Sequence, residues 1–316
     1  DVRINCLHRH GKLKIGDVII QSCNAGMIQS VRPLDKSALY KTLRKFGFGE
    51  KTGIELPGEG IGILRPVSQW SGLSKYSISI GHEIAVTSAQ ITSAFNAVAN
   101  EGVYMSPTII ERIERPDGST VKSFYPAAKG RVMSKEHARA VLSIMRDVVK
   151  SGTGRRGNSA FYQIAGKTGT SQKFSKHEKA YSDRNVSSFI GVAPYDKPAI
   201  CMLVVFDDPA DRSTGGGAAA PVFARITERV LPYLGIGGRD ISGMKIKKSG
   251  EYKERVYQTV PDFAGLGTGE AAGILRVLGE RNGIKYYIKG QGRVYGQKPA
   301  PGSKIQDNGT IILFMR

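Results

Sequence analysis

Apolar residues between Ile15 and Val31 come at helical spacing at Ile15, Val18, Ile19 and Ile20, then give way to Ser22-Cys23-Asn24-Ala25-Gly26-Met27. This pattern predicts two short helices broken by small polar residues. From Pro33 to Phe46, Leu34, Ala38, Leu39 and Leu43 predict a third helix, stopped by Gly47-Phe48-Gly49. Thr87 and Gln90 form a capping box that opens a largely buried helix through Ile91, Ala94, Phe95 and Val98, ending at Asn100-Glu101-Gly102. Ser134 caps another, with Val141, Leu142, Met145, Val148 and Val149 on one face and Gly152 after it.

Elsewhere the apolar positions read as strands. Thr108 to Glu114 and Val121 to Tyr125 flank Pro116-Asp117-Gly118-Ser119, which is hairpin chemistry. Phe161-Tyr162-Gln163-Ile164 leads into Ala165-Gly166-Lys167-Thr168-Gly169-Thr170-Ser171, and a polar excursion then returns to Val186–Val192 and, past Pro194 to Pro198, to Ala199–Phe206. Three strands joined in sequence predict an antiparallel meander. Val222, Phe223, Ile226, Val230 and Leu231 give an amphipathic helix from Ala218 to Leu234 to cover one of its faces. The expected class is therefore α/β (α+β), an antiparallel sheet flanked by helices, over residues 1–234. Residues 235–255 read as a linker. From Val260-Pro261-Asp262-Phe263 onward, a helix in the 270s and three short strands punctuated by Gly290, Gly292, Gly296, Gly302 and Asn308-Gly309 predict a separate small β/α unit over 256–316.

Composition fits this division. The chain has 316 residues, 40% hydrophobic and 23% charged, enough for about two domains with real cores and unlike a disordered chain. No run approaches the ~20 apolar residues of a membrane helix, and Asp1 to Cys6 offers neither an initiator Met nor a signal peptide's apolar centre, so it reads as a cut end. The net charge of +19 is spread over both parts rather than gathered into a stripe, which argues against nucleic acid as partner and for an anionic environment such as headgroups or acidic wall polymers. Three cysteines, with no C-x-x-C, predict no disulfide framework, and Cys201 reads as core. His82-Glu83 lacks the second His of H-E-x-x-H because Val86 stands there. No metal and no cofactor is expected.

The candidate chemistry lies at Lys167-Thr168-Gly169-Thr170. A phosphate-binding loop would need glycine where Phe161 stands, and Gly169 opposes the helix that should follow. The triplet K-[ST]-G alone recurs by chance in roughly one chain in six of this length, so order and surroundings decide between a surface turn and the K-[ST]-G strand of serine acyltransferases that react with penicillin. Ser22-Cys23-Asn24 supplies an S-x-N ahead of it, on the broken helices. Lys51-Thr52-Gly53, a second copy followed by Ile54 to Gly60, reads as a turn.

With these motifs in this order, the chain resembles the transpeptidase domain of class B penicillin-binding proteins. Phe46-Gly47-Phe48-Gly49 before Thr52-Gly53-Ile54, Ser79-Ile80-Gly81 before the Thr87 helix, Gly152-Thr153-Gly154 before the strand and Ala219-Ala220-Pro221-Val222-Phe223 after it are also similar to that family. Residues 256–316 resemble a PASTA module. The resemblance implies a peptidoglycan D,D-transpeptidase on the extracytoplasmic face of the membrane, with stem peptides as substrate, β-lactams as mimics, and a glycan polymerase and divisome or elongasome proteins as partners. It implies Ser22 in a proton relay, Asn24 bonded to the substrate amide or a catalytic lysine, Lys167 as the positive charge of the cleft, Thr168 and Thr170 on the substrate carboxylate, Gly169 keeping the edge open, and the Thr170 N–H as half of an oxyanion hole.

The family's nucleophile and base lie in S-x-x-K, ahead of S-x-N, and no serine precedes Ser22. Of the two S-x-x-K strings, Ser119 to Lys122 falls on the expected hairpin and Ser242 to Lys245 in the linker, whereas the lysine must lie one helical turn from the serine. The expectation is a C-terminal part of such an enzyme whose S-x-x-K is absent from these residues, inactive alone. The alternative is a non-catalytic wall-binding or scaffold protein of the same descent.

Overall fold

The computed structural model describes residues 6, 10–175, 180–209, 214–238, 259–266, 271, 274, 275, 278, 279, 283–290, 292–306 and 309–316. They fall into two compact units, divided between residues 244 and 245.

The broken helical pattern at the start becomes α1 (Ile15–Ile20) and α2 (Asn24–Val31), and between them Ser22 turns the chain at φ +54°. Asp35, whose side chain accepts from the Ser37 and Ala38 N–H groups, starts α3 (Lys36–Lys45). A 3₁₀ turn at Val67–Gln69 leads to Trp70, whose indole N–H donates to the Arg65 carbonyl at 2.8 Å, and to the short α4 (Ser74–Ser79). The Thr87–Gln90 capping box is formed and opens α5 (Ser88–Ala99). Then β1 (Val103–Ser106) pairs with β4 (Ala127–Arg131), enclosing the hairpin of β2 (Arg112–Glu114) and β3 (Thr120–Ser123). Ser134 caps α6 (Lys135–Lys150), as its sequence predicts.

The meander follows: β5 (Ala165–Ser175), β6 (Ala180–Ala193) and β7 (Ile200–Asp207) pair antiparallel in the order β5-β6-β7. Period two in β6 sends successive side chains to opposite faces. Ile190 and Val192 join Phe95 and Val98 of α5 and Leu142 of α6, while Phe189 packs with Phe223, Ala219, Ala220 and Leu231 of α7 (Ala219–Tyr233). Phe189 and Phe223 meet edge to face, centroids 4.9 Å apart. Beneath the Phe189 ring the paired positions Gly166 and Gly191 carry no side chain, and a Cβ on Gly166 would stand 2.5 Å from Phe189 Cζ. Helices thus cover both faces, and β5 is an edge, leaving backbone groups on its outer side to meet a ligand.

In the second unit β10 (Thr310–Met315) is central, parallel to β8 (Lys285–Lys289) and antiparallel to β9 (Val294–Lys298). Ile311, Leu313 and Met315 alternate into a core with Val260, Phe263, Leu275, Leu278, Ile284 and Val294. Gln297 ties the Val260-Pro261-Asp262-Phe263 segment down: its Oε1 accepts from the Phe263 N–H at 2.8 Å and its Nε2 donates to the Pro261 carbonyl at 2.9 Å.

Candidate active site

Four segments meet at the edge of β5. The first is the Ser22 turn at the end of α1. The second is the loop after α6, where Gly152 lies so close to α1 that a Cβ would stand 2.5 Å from the Ile20 carbonyl, and where the Thr153 N–H donates to that carbonyl at 3.3 Å. This close approach brings the first helix pair to the K-T-G strand. The third is β5 itself, and the fourth is the turn at Thr214–Gly217, where a Cβ on Gly215 would stand 2.2 Å from the Ser188 carbonyl and 2.4 Å from the Gly169 carbonyl.

Lys167 is the hub. Its Nζ donates to Ser22 Oγ at 3.1 Å, to the Thr168 carbonyl at 3.0 Å and to Thr168 Oγ1 at 3.4 Å. Burial disfavours its ammonium and pushes its pKa down from 10.5 to about 8. Thr168 shares a 2.9 Å hydrogen bond with the hydroxyl of Thr153. Thr170 is exposed, and its Oγ1 accepts from the Gly215 N–H at 3.1 Å. Gly169 is where a side chain would strike Ser188 Oγ, at 2.5 Å. Asn24, the first residue of α2, stands two residues beyond Ser22.

Of the residues singled out in the sequence, Ser22, Lys167 and Thr168 are thus joined by hydrogen bonds, with Thr170 further along the same edge. The arrangement offers one cation, three hydroxyls and a strand edge, which together suit an extended peptide ending in a carboxylate. Three residues were not assigned roles from the sequence: Thr153, Gly215 and Gly216, the last with a Cβ position 2.4 Å from the Thr153 carbonyl. Thr153 sits inside Gly152-Thr153-Gly154, one of the motifs similar to the family, so a signal is present there; Gly215-Gly216-Gly217 stands only as a run of glycines before the Ala218 helix.

The other motifs resolve differently. Thr52 of the second K-T-G is buried, and its N–H and hydroxyl both donate to Glu59 Oε1 at 2.6 Å, making that copy a loop anchor far from strand chemistry. Ser119 lies at the hairpin turn with its N–H on Asp117 Oδ1, and Lys122 on β3 stacks over Phe124, so this S-x-x-K is not helical. Ser242 to Lys245 lies outside the described residues.

The family model of the penicillin binding protein transpeptidase domain matches residues 3–228, and that of the PASTA domain residues 258–315. The chain is 33% identical to stage V sporulation protein D of Bacillus subtilis over 99% of this chain and 48% of that protein. It is 36% identical to penicillin-binding protein PbpB of Mycolicibacterium smegmatis over 67% of this chain and 34% of that one. The crystal structure of penicillin binding protein 3 from Mycobacterium tuberculosis, described in complex with aztreonam, superimposes with a TM-score of 0.70 at 32% identity, covering 76% of this chain and 56% of that one. The chain spans about half the length, or less, of these curated relatives.

Proposed function

The chain belongs to the penicillin binding protein transpeptidase family, and from that premise we propose that the protein works as a peptidoglycan D,D-transpeptidase. The observation that carries this is the 3.1 Å hydrogen bond from Lys167 Nζ to Ser22 Oγ, which joins the K-T-G edge and the S-x-N turn into one polar cleft. In the proposed reaction a serine Oγ attacks the carbonyl of the penultimate D-Ala and forms an ester. The terminal D-Ala leaves with a proton, and an amine from a neighbouring stem peptide then displaces the serine.

Lys167 supplies the positive potential that draws the donor's terminal carboxylate. Thr168 and Thr170 donate hydroxyls to that carboxylate, Ser22 passes the proton toward the leaving amine, and Asn24 holds the substrate amide. The Thr170 N–H faces the oxygen that becomes an oxyanion; losing one such donor typically costs 10²–10³ in rate. We assign the attacking serine to an S-x-x-K of a longer protein, a reading supported by Ser119 standing at a hairpin turn with Lys122 on β3 rather than one helical turn away. On this reading the protein works on the extracytoplasmic face of a membrane, beside a glycan polymerase. Among the described residues no helix is long and apolar enough to cross a membrane.

The test is to incubate the 316-residue chain, and a version extended upstream through S-x-x-K, with fluorescent penicillin and run both on a denaturing gel. Only the extended chain is expected to carry label. A stoichiometric adduct mapped to a serine of the short chain would overturn the assignment of the nucleophile, and an unlabelled extended chain would overturn the transpeptidase reading itself.

A further inference from the structure

Beside the Ser22 turn lie three donors separated in sequence. Cys6 Sγ and Cys23 Sγ are 3.5 Å apart, and with His10 they place one ligand atom each within 4.8 Å of one another. Cys23 is buried; Cys6 and His10 are half-buried. We propose that Cys6, His10 and Cys23 form a binding site for a thiophilic d¹⁰ divalent cation of the zinc type, with a fourth position open to water.

The geometry favours this occupant. Two thiolates on one tetrahedral zinc at Zn–S distances of about 2.3 Å stand about 3.8 Å apart, close to the separation seen. A disulfide requires about 2.05 Å and has no use for an imidazole. Both sulfurs also receive backbone N–H groups from the first turn of α2: Ala25 donates to Cys6 Sγ at 3.2 Å and Gly26 to Cys23 Sγ at 3.4 Å. Such outer hydrogen bonds, at the positive end of a helix, stabilise thiolate ligands. Two soft sulfurs and one imidazole select zinc over magnesium or calcium, whose ligands are oxygens. Binding releases the two thiol protons, so affinity falls as pH is lowered. Because Cys23 stands between Ser22 and Asn24, the cation would fasten the segment around Cys6 and His10 to the S-x-N turn. The site does not depend on the acyl-transfer reading.

Cobalt(II) is the probe. The reduced, metal-stripped 316-residue chain is titrated anaerobically, and one equivalent is expected to produce a thiolate-to-metal charge-transfer band and tetrahedral d–d bands that zinc abolishes. Cys6→Ser, His10→Ala and Cys23→Ser each lose them, Cys201→Ser keeps them, and zinc raises the thermal midpoint of the parent chain but not of His10→Ala. Circular dichroism establishes that each variant folds; should Cys23→Ser fail to fold, the half-buried His10 decides. Absence of the bands in a folded, reduced chain overturns the site, as does their persistence in both Cys6→Ser and His10→Ala. So does a Cys6–Cys23 disulfide in the purified chain whose reduction creates no cobalt binding.

Discussion

The proposed role asks Lys167 to be a cation in surroundings that disfavour one. Its pKa of about 8 lies below the unfolded value of 10.5, so between those pH values the unfolded chain binds the proton more tightly. Stability therefore gains from this residue as pH rises from about 8 to about 10.5, while the charge that attracts a carboxylate is lost over the same rise. We predict that noncovalent binding of a β-lactam to the chain, followed by calorimetric titration, weakens as pH passes about 8, and that Lys167→Ala binds weakly with no such inflection. A flat profile in the parent chain would refute the role. Thr153 gives a second prediction at this scale. Thr153→Val keeps shape but removes the hydroxyl that Thr168 shares at 2.9 Å, and should weaken carboxylate binding by about 0.5–1.5 kcal/mol with an unchanged thermal midpoint. The lysine and Ser22 were legible because their motifs are contiguous. Gly152-Thr153-Gly154 was visible as a motif but the hydroxyl contact of Thr153 with Thr168 was not, and Gly215 carried no signal, because its close approach to the Gly169 backbone leaves no local pattern.

Among the elements, α5 is held by one buried amide as well as by its apolar face of Ala94, Phe95, Ala97 and Val98. Gln90 closes the capping box with Thr87, and its Nε2 donates to the carbonyls of Glu50 at 2.7 Å and Ile61 at 2.9 Å. Gln90→Ala would leave both carbonyls without that donor, each costing about 1–3 kcal/mol, and should lower the midpoint of urea unfolding more than Ile91→Ala on the same helix; equal effects would refute this account. Helices with a strong period, α5, α6 and α7, and the meander were legible in sequence. The β1–β4 pair was not: Ala127-Ala128-Lys129-Gly130-Arg131 has no strand pattern and is exposed throughout, so pairing with β1 forms it in spite of weak propensity. α4 was hidden for a related reason, since it is short, serine-rich and set by Ser74, which bonds to Ser71 and to Glu83.

For the whole molecule, two separate cores predict two unfolding transitions. The alternation of Ile311, Leu313 and Met315, with the Gln297 ties to Pro261 and Phe263, gives the second unit its own interior, so we propose that residues 256–316 fold alone. Limited proteolysis should release a folded piece beginning near residue 255, and deleting it should leave the first unit's melting unchanged; resistance to cleavage throughout the linker would contradict this. The split between residues 244 and 245 falls inside the glycine- and lysine-containing stretch 235–255 that the sequence reads as a linker. The helix of the 270s was named from sequence too, and its described residues Leu275 and Leu278 lie in that core.

The glycine pair under Phe189 bears on how such a protein can change under antibiotic pressure. A side chain on Gly166 or Gly191 would collide with the ring of Phe189, which ties the three positions together sterically. A lineage that alters the underside of the Lys167 strand meets backbone as well as ring, since a Cβ on Gly166 would also stand 2.5 Å from the Ile190 carbonyl and one on Gly191 2.8 Å from the Ala165 carbonyl, so shrinking Phe189 opens neither position. Laboratory selection with β-lactams should therefore leave residues 166, 189 and 191 untouched while variation accumulates around the rim of the cleft.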